Sequence, residues 1–223
     1  FGDPNLDAYS GVAEGYANVK AVLPALILAS TKRLDGTAMV QWPFLVLLLA
    51  SVYAIARRLE LPRWCALVAV NFTLFAPEPM LQSMEGYADV VLVACAMALV
   101  AVMLAIYHDG FSWRWVLVAG LGFAGVAGAK PVGLVLCGTL GICFLVLVWL
   151  KSTPLRCGKA CSRVAGSLGA VMLIAVAIAG VWYVEGMRKH GNPLFPLEVK
   201  IGTHVLIPGK VPGDVNNKWV KLY

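Results

Sequence analysis

Hydrophobic positions in this chain come in long blocks separated by short polar connections, and the blocks lack the period-two alternation of strands. Six blocks stand out, at 38–56, 64–77, 88–107, 115–129, 131–150 and 164–184. A helix needs about 20 residues to cross a bilayer, with about 17 near the lower limit. Blocks 88–107, 131–150 and 164–184 reach that length, and 38–56 does so with its flanks. Blocks 64–77 and 115–129 are short, so they borrow flanking residues or stop below the surface, where polar loops sit recessed in a cavity. Rich in Ala, Leu, Val and Gly, the blocks predict an all-α fold, a polytopic transmembrane bundle of about six spans over residues 38–184.

Composition strengthens this picture. The 223 residues are 60% hydrophobic and 13% charged, with a mean hydropathy of +0.80, whereas a soluble domain carries roughly 25% charged residues. The chain opens on Phe1 without a signal-like pattern, which reads as a start inside a longer protein. Residues 1–37 contain "AVLPALILA", an apolar stretch too short to span and suited to an interfacial or re-entrant helix. Residues 185–223 carry Pro193, Pro196, Pro208 and Pro212 and read as an extracytoplasmic loop or tail built on turns.

Charge sets an orientation. The short connections 57–63, 108–114 and 151–163 hold eight Lys and Arg, while the short connections on the other side hold only Lys130. Under the positive-inside rule the first set is cytoplasmic and both tails are extracytoplasmic. Ten of the twelve acids fall on the tail side, so the chemistry is expected there, on one water-facing rim. The net charge of +6 is spread among membrane loops, which argues against a nucleic-acid surface. Four of the six cysteines lie inside apolar runs, where a thiol acts as a small hydrophobe. Cys157 and Cys161 lack the His or second Cys pair of a zinc site.

Among the polar residues, Glu85 and Asp89 in "SMEGYADVVLVA" lie four apart at the lip of a span and share a helix face. Asp89 either caps the span, where the helix dipole favours an acid, or faces a polar cavity with Glu85 to bind a cation or sugar hydroxyls. Lys130 stands alone between two apolar blocks, before Pro131; it either snorkels to the surface or meets a phosphate. Arg188, Lys189 and His190 form a basic cluster before the turn at Gly191-Asn192-Pro193 and suit headgroup anchoring or a phosphate clamp. Gly120, Gly122, Gly125 and Gly128 are spaced for close helix packing. No phosphate-binding Gly loop, metalloprotease motif or nucleophile elbow is present.

In order, "GYANVKAVLPALI", "RRLELPRW", "EGYADVVLVA", "GLGFAGVAGAKPVGLVL" and "HGNPLFPLEVKIG" resemble the bacterial integral-membrane glycosyltransferases of the GT-C fold. That class includes protein O-mannosyltransferases and the aminoarabinose transferase of lipid A. The resemblance covers most of residues 14–202 and implies transfer of a sugar from a polyprenyl-phosphate donor to an extracytoplasmic acceptor at the inner membrane. It implies an acid as general base and basic residues on the departing phosphate. It places Asp89 at the family's span-opening Asp, Lys130 at its span-ending Lys, and Gly191 to Pro193 at its periplasmic turn. The site residues expected on residues and resemblance together are Asp89 and Glu85 for catalysis, with Lys130, Arg188, Lys189, His190 and Asn192 for substrate. No metal ligands are assigned, and the cofactor stays open, a divalent metal included. Family members are longer and carry their catalytic acid in a loop after a first span. Asp3 and Asp7 fall in the corresponding loop, and the motif around them does not match. The alternative is a non-catalytic helical subunit of a larger membrane complex. A transporter ranks last, because charges inside the spans are nearly absent and no inverted repeat shows.

Overall fold

The computed structural model describes residues 41–76, 88–110, 112–152, 158–194, 198–201, 204–207 and 209. The described residues fall into two compact units, 41–179 and 180–209. Among the described residues the fold is all-α apart from one short strand pair. Its helices are α1 (Trp42–Arg58), α2 (Arg63–Phe75), α3 (Ala88–Asp109), α4 (Trp113–Ala129), α5 (Gly133–Ser152) and α6 (Gly158–His190).

Each apolar block becomes a helix, and local signals set the ends. Pro43 stands in the first turn of α1, where its missing N–H costs nothing. Arg57 and Arg58 occupy the last turn, where the dipole favours cations. Beyond it, Glu60 takes φ +62°, the left-handed conformation a glycine usually supplies, and Leu61 N–H reaches back to the Ala56 carbonyl. Gly110 (φ +84°) ends α3, and Gly191 (φ +66°) ends α6 with its N–H on the Met187 carbonyl. Lys130 is extended, as a residue before proline must be, so α4 stops at Ala129.

In the first unit α3 is the central helix, touching α1, α4 and α5, while α2 lies on α1. Val91, Cys95, Leu99, Val102 and Ile106 of α3 pack with Val116, Phe123 and Val126 of α4. The glycines of α4 serve this packing, as their spacing predicts. A Cβ on Gly122 would stand 2.8 Å from Leu99 Cδ2, one on Gly120 would stand 2.8 Å from Ile174 Cβ, and one on Gly125 would strike Cys95 Sγ.

Two helical stretches, Asp89–Asp109 and Ala165–His190, are long and apolar enough to cross a membrane. Shorter apolar helices run over Arg63–Phe75, Trp113–Ala129 and Gly133–Leu147. The helices also leave large apolar side chains uncovered, among them Phe72 (76% exposed), Leu173 (72%) and Val135 (71%).

The last apolar block, 164–184, lies inside a 33-residue helix, so Arg188, Lys189 and His190 belong to its final turn and not to a loop beyond it. In the second unit this turn is followed by the bend at Gly191 and by β1 (Val199–Ile201) paired antiparallel with β2 (His204–Ile207). The register pairs Val199 with Ile207 and Ile201 with His204. The expected interfacial segment at 1–37 lies outside the described residues.

Candidate functional site

The connection from α3 to α4 is only three residues, 110–112, so the two helices run antiparallel and the start of α3 lies beside the end of α4. Asp89 occupies the first turn of α3, and Lys130 follows the last residue of α4. Their side chains meet, with Lys130 Nζ donating to Asp89 Oδ1 at 2.5 Å. The pair is partly screened from solvent, Lys130 being 28% and Asp89 36% exposed. Lys130, alone between two apolar blocks in the sequence, thus has a carboxylate partner 41 residues away.

The turn after Lys130 fixes its backbone. Gly133 N–H donates to the Lys130 carbonyl at 2.8 Å and Leu134 N–H to the Pro131 carbonyl at 3.1 Å. Gly133 is buried, and a Cβ there would fall inside the Val126 carbonyl and 3.2 Å from Leu92 Cδ1. The α4–α5 turn therefore presses directly on α3 and α4, which sets where the ammonium emerges.

Gln41 is a residue that sequence reasoning missed. It stands just before α1, is 3% exposed, and its Oε1 has no hydrogen-bond partner. Arg58, at the other end of α1, bonds Asp109, at the end of α3, so these two helices run in the same direction. Counting back at about 1.5 Å per residue puts Gln41 within about one turn of the height of Asp89. The available signal is a polar residue at the entrance of an apolar run, directly before Trp42-Pro43.

The other expected site residues lie on the second unit or outside the described residues. Glu85 lies outside the described residues. Arg188, Lys189 and His190 are exposed on the second unit, and Lys189 Nζ pairs with Glu185 Oε1 at 2.6 Å, one turn back on the helix. Asn192 is fully buried, and its Oδ1 accepts the Leu194 N–H at 2.8 Å, closing the turn after α6. Gly186 leaves room for that turn, since a Cβ there would stand 3.0 Å from the Asn192 carbonyl oxygen. Among the described residues no group of three His, Cys, Asp or Glu side chains could hold a metal ion.

The arrangement brings one carboxylate and one ammonium to the same end of a helical bundle, each still reachable from outside. A carboxylate can take a proton from a hydroxyl, and an ammonium can neutralise an anionic leaving group. No protein-family model, curated protein or solved structure matches the chain.

Proposed function

We propose that this chain is a multi-pass helical protein of the bacterial inner membrane, with its described start and end extracytoplasmic, and that it is all or part of a GT-C-like glycosyltransferase using a polyprenyl-phosphate sugar. The Asp89–Lys130 pair carries the reading, because it joins a carboxylate and an ammonium at the open end of an apolar helix hairpin. The uncovered apolar side chains on α2, α5 and α6 support a lipid surround, since water-soluble monomers rarely expose large apolar patches. A shallow, mainly apolar hollow lined by Val68, Asn71, Phe72 and Phe75 lies toward the C-terminal end of α2. Such a surface suits an isoprenoid chain.

In the proposed reaction the donor phosphate competes for Lys130 and draws its ammonium away from Asp89. The freed carboxylate accepts the proton of the acceptor hydroxyl as that oxygen bonds the anomeric carbon. The bond from the anomeric carbon to the phosphate oxygen breaks, and its electron pair leaves with the lipid phosphate beside Lys130. Glu85, four residues before Asp89, is proposed as a second acid of this site. Arg188, Lys189 and His190 are proposed to meet anionic substrate groups, and Asn192 to hold the turn that presents them.

Two measurements test this. Lys130→Ala is expected to weaken binding of a polyprenyl-phosphate ligand at least about tenfold, as the loss of one charge-assisted contact requires; unaltered binding removes Lys130 from the site. In a cysteine-free background, Val132→Cys and Ser112→Cys are expected to be labelled from opposite faces of the membrane. Labelling of both from one face would overturn the multi-pass topology.

The second reading, a non-catalytic subunit, is favoured by the same pair seen as a lock. An ion pair joining two helix ends is also what a purely structural hairpin uses.

A further inference from the structure

The opposite end of the first unit has a different chemistry. Arg58 Nη1 bonds Asp109 Oδ2 at 2.9 Å, and its guanidinium lies 5.4 Å from the Trp115 ring centre. One side chain thereby gathers the ends of α1 and α3 and the first turn of α4. The start of α2 joins them, because the turn from α1 is short and Arg57 Nη1 bonds the Leu61 carbonyl at 2.5 Å.

Four arginines (57, 58, 63 and 114) collect here against two carboxylates, Glu60 and Asp109, and Asp109 is taken by Arg58. At the other end, Asp89 and Lys130 cancel. Arg63 and Arg114 are exposed and make no ion pair among the described residues. Each stands beside an exposed tryptophan in the first turn of a helix, Trp64 at 67% and Trp113 at 68%. Neither helix start is capped by a side chain, so free N–H groups and the positive end of the dipole add to the arginines.

We propose that Arg63 and Arg114, with Arg57, Trp64 and Trp113, form a docking surface for the headgroups of anionic phospholipids. The proposal rests on the membrane reading above and adds the lipid class. Exposed tryptophans lie at headgroup depth, the apolar body toward the chains and the indole N–H toward water. Guanidinium groups at that depth fit the two free oxygens of a phosphodiester. A zwitterionic headgroup offers the same phosphate but brings its own cation against the arginines, which selects for lipids without one.

The test is native mass spectrometry of the purified chain in mixed micelles of phosphatidylglycerol and phosphatidylcholine, with the double variant Arg63→Gln/Arg114→Gln alongside. Each arginine near an anionic surface contributes about fivefold to lipid retention, so the variant is expected to lose about 25-fold of its phosphatidylglycerol preference. Arg63→Lys/Arg114→Lys is expected to keep most of it and confirms that charge, not fold, was removed. Equal retention of the two lipids by the unaltered protein overturns the proposal and leaves the membrane reading standing. A chain that stays monodisperse without detergent and retains neither lipid overturns both. Displacement of phosphatidylglycerol by millimolar glycerol phosphate assigns the site to soluble phosphates and overturns the lipid proposal.

Discussion

On the glycosyltransferase reading proposed above, Asp89→Asn is expected to lower sugar transfer by about two to four orders of magnitude while the protein remains folded. The amide keeps the size of the carboxylate and one oxygen that accepts from Lys130, so the hairpin loses a charge and not a contact. What disappears is the group able to hold a proton released by the acceptor. Lys130→Ala is expected to lose stability as well, because it strands a carboxylate that is only 36% exposed. Between surface and buried ion pairs, that costs about 1–2 kcal/mol of stability in addition to activity. The exchange Asp89→Lys/Lys130→Asp separates catalysis from structure. It restores an ion pair between α3 and α4, so the melting temperature is expected to return toward the original. Transfer of labelled sugar from polyprenyl-phosphate donors is expected to stay lost, because each charge now faces the other's reactant. If the exchanged protein regains both, the pair is a lock and the non-catalytic reading holds.

Gly133→Ala is expected to destabilise the protein by about 3 kcal/mol, the upper range for overpacking a core. The added methyl would enter the Val126 carbonyl, and backbone cannot step aside as a flexible side chain can. The α4–α5 turn must then open, moving Lys130, whose carbonyl accepts the Gly133 N–H at 2.8 Å. Activity and stability are expected to fall together. Gly138→Ala and Gly141→Ala on the same helix are the controls, with nothing within 4 Å of either new Cβ. These are expected to be neutral or to stabilise by up to about 1 kcal/mol through helix propensity. Thermal unfolding in detergent, followed by loss of monomer, compares all three. A Gly133→Ala protein as stable as its controls would show that the turn has slack and does not set the position of Lys130.

The helices among the described residues were legible because their causes are local. Each apolar run closes its own hydrogen bonds, and breakers such as Pro131, Gly110 and Gly191 lie where the helices stop. The strand pair was harder to see, since "VKI" and "HVLI" are short β-branched pieces within a tail dominated by proline and glycine. The left-handed Glu60 had no signal at all, because glutamate gains nothing from that conformation and takes it only where the α1–α2 turn imposes it.

Asp89 and Lys130 were each conspicuous as ionisable residues at the edges of apolar blocks, and the sequence placed both on one side of the bundle. It did not pair them. Their contact depends on two helices of similar length folding back across a three-residue connection, with small residues letting α4 press onto α3. Gln41 had only a weak signal, a polar residue at the entrance of an apolar run, and its burial shows only in the folded chain.

What the chain determines alone is where backbone leaves water, because that follows from side chains within a few turns of one another. Which charges then neutralise each other is settled only when distant helix ends are brought together, since electrostatic attraction acts over ångströms and not along the sequence.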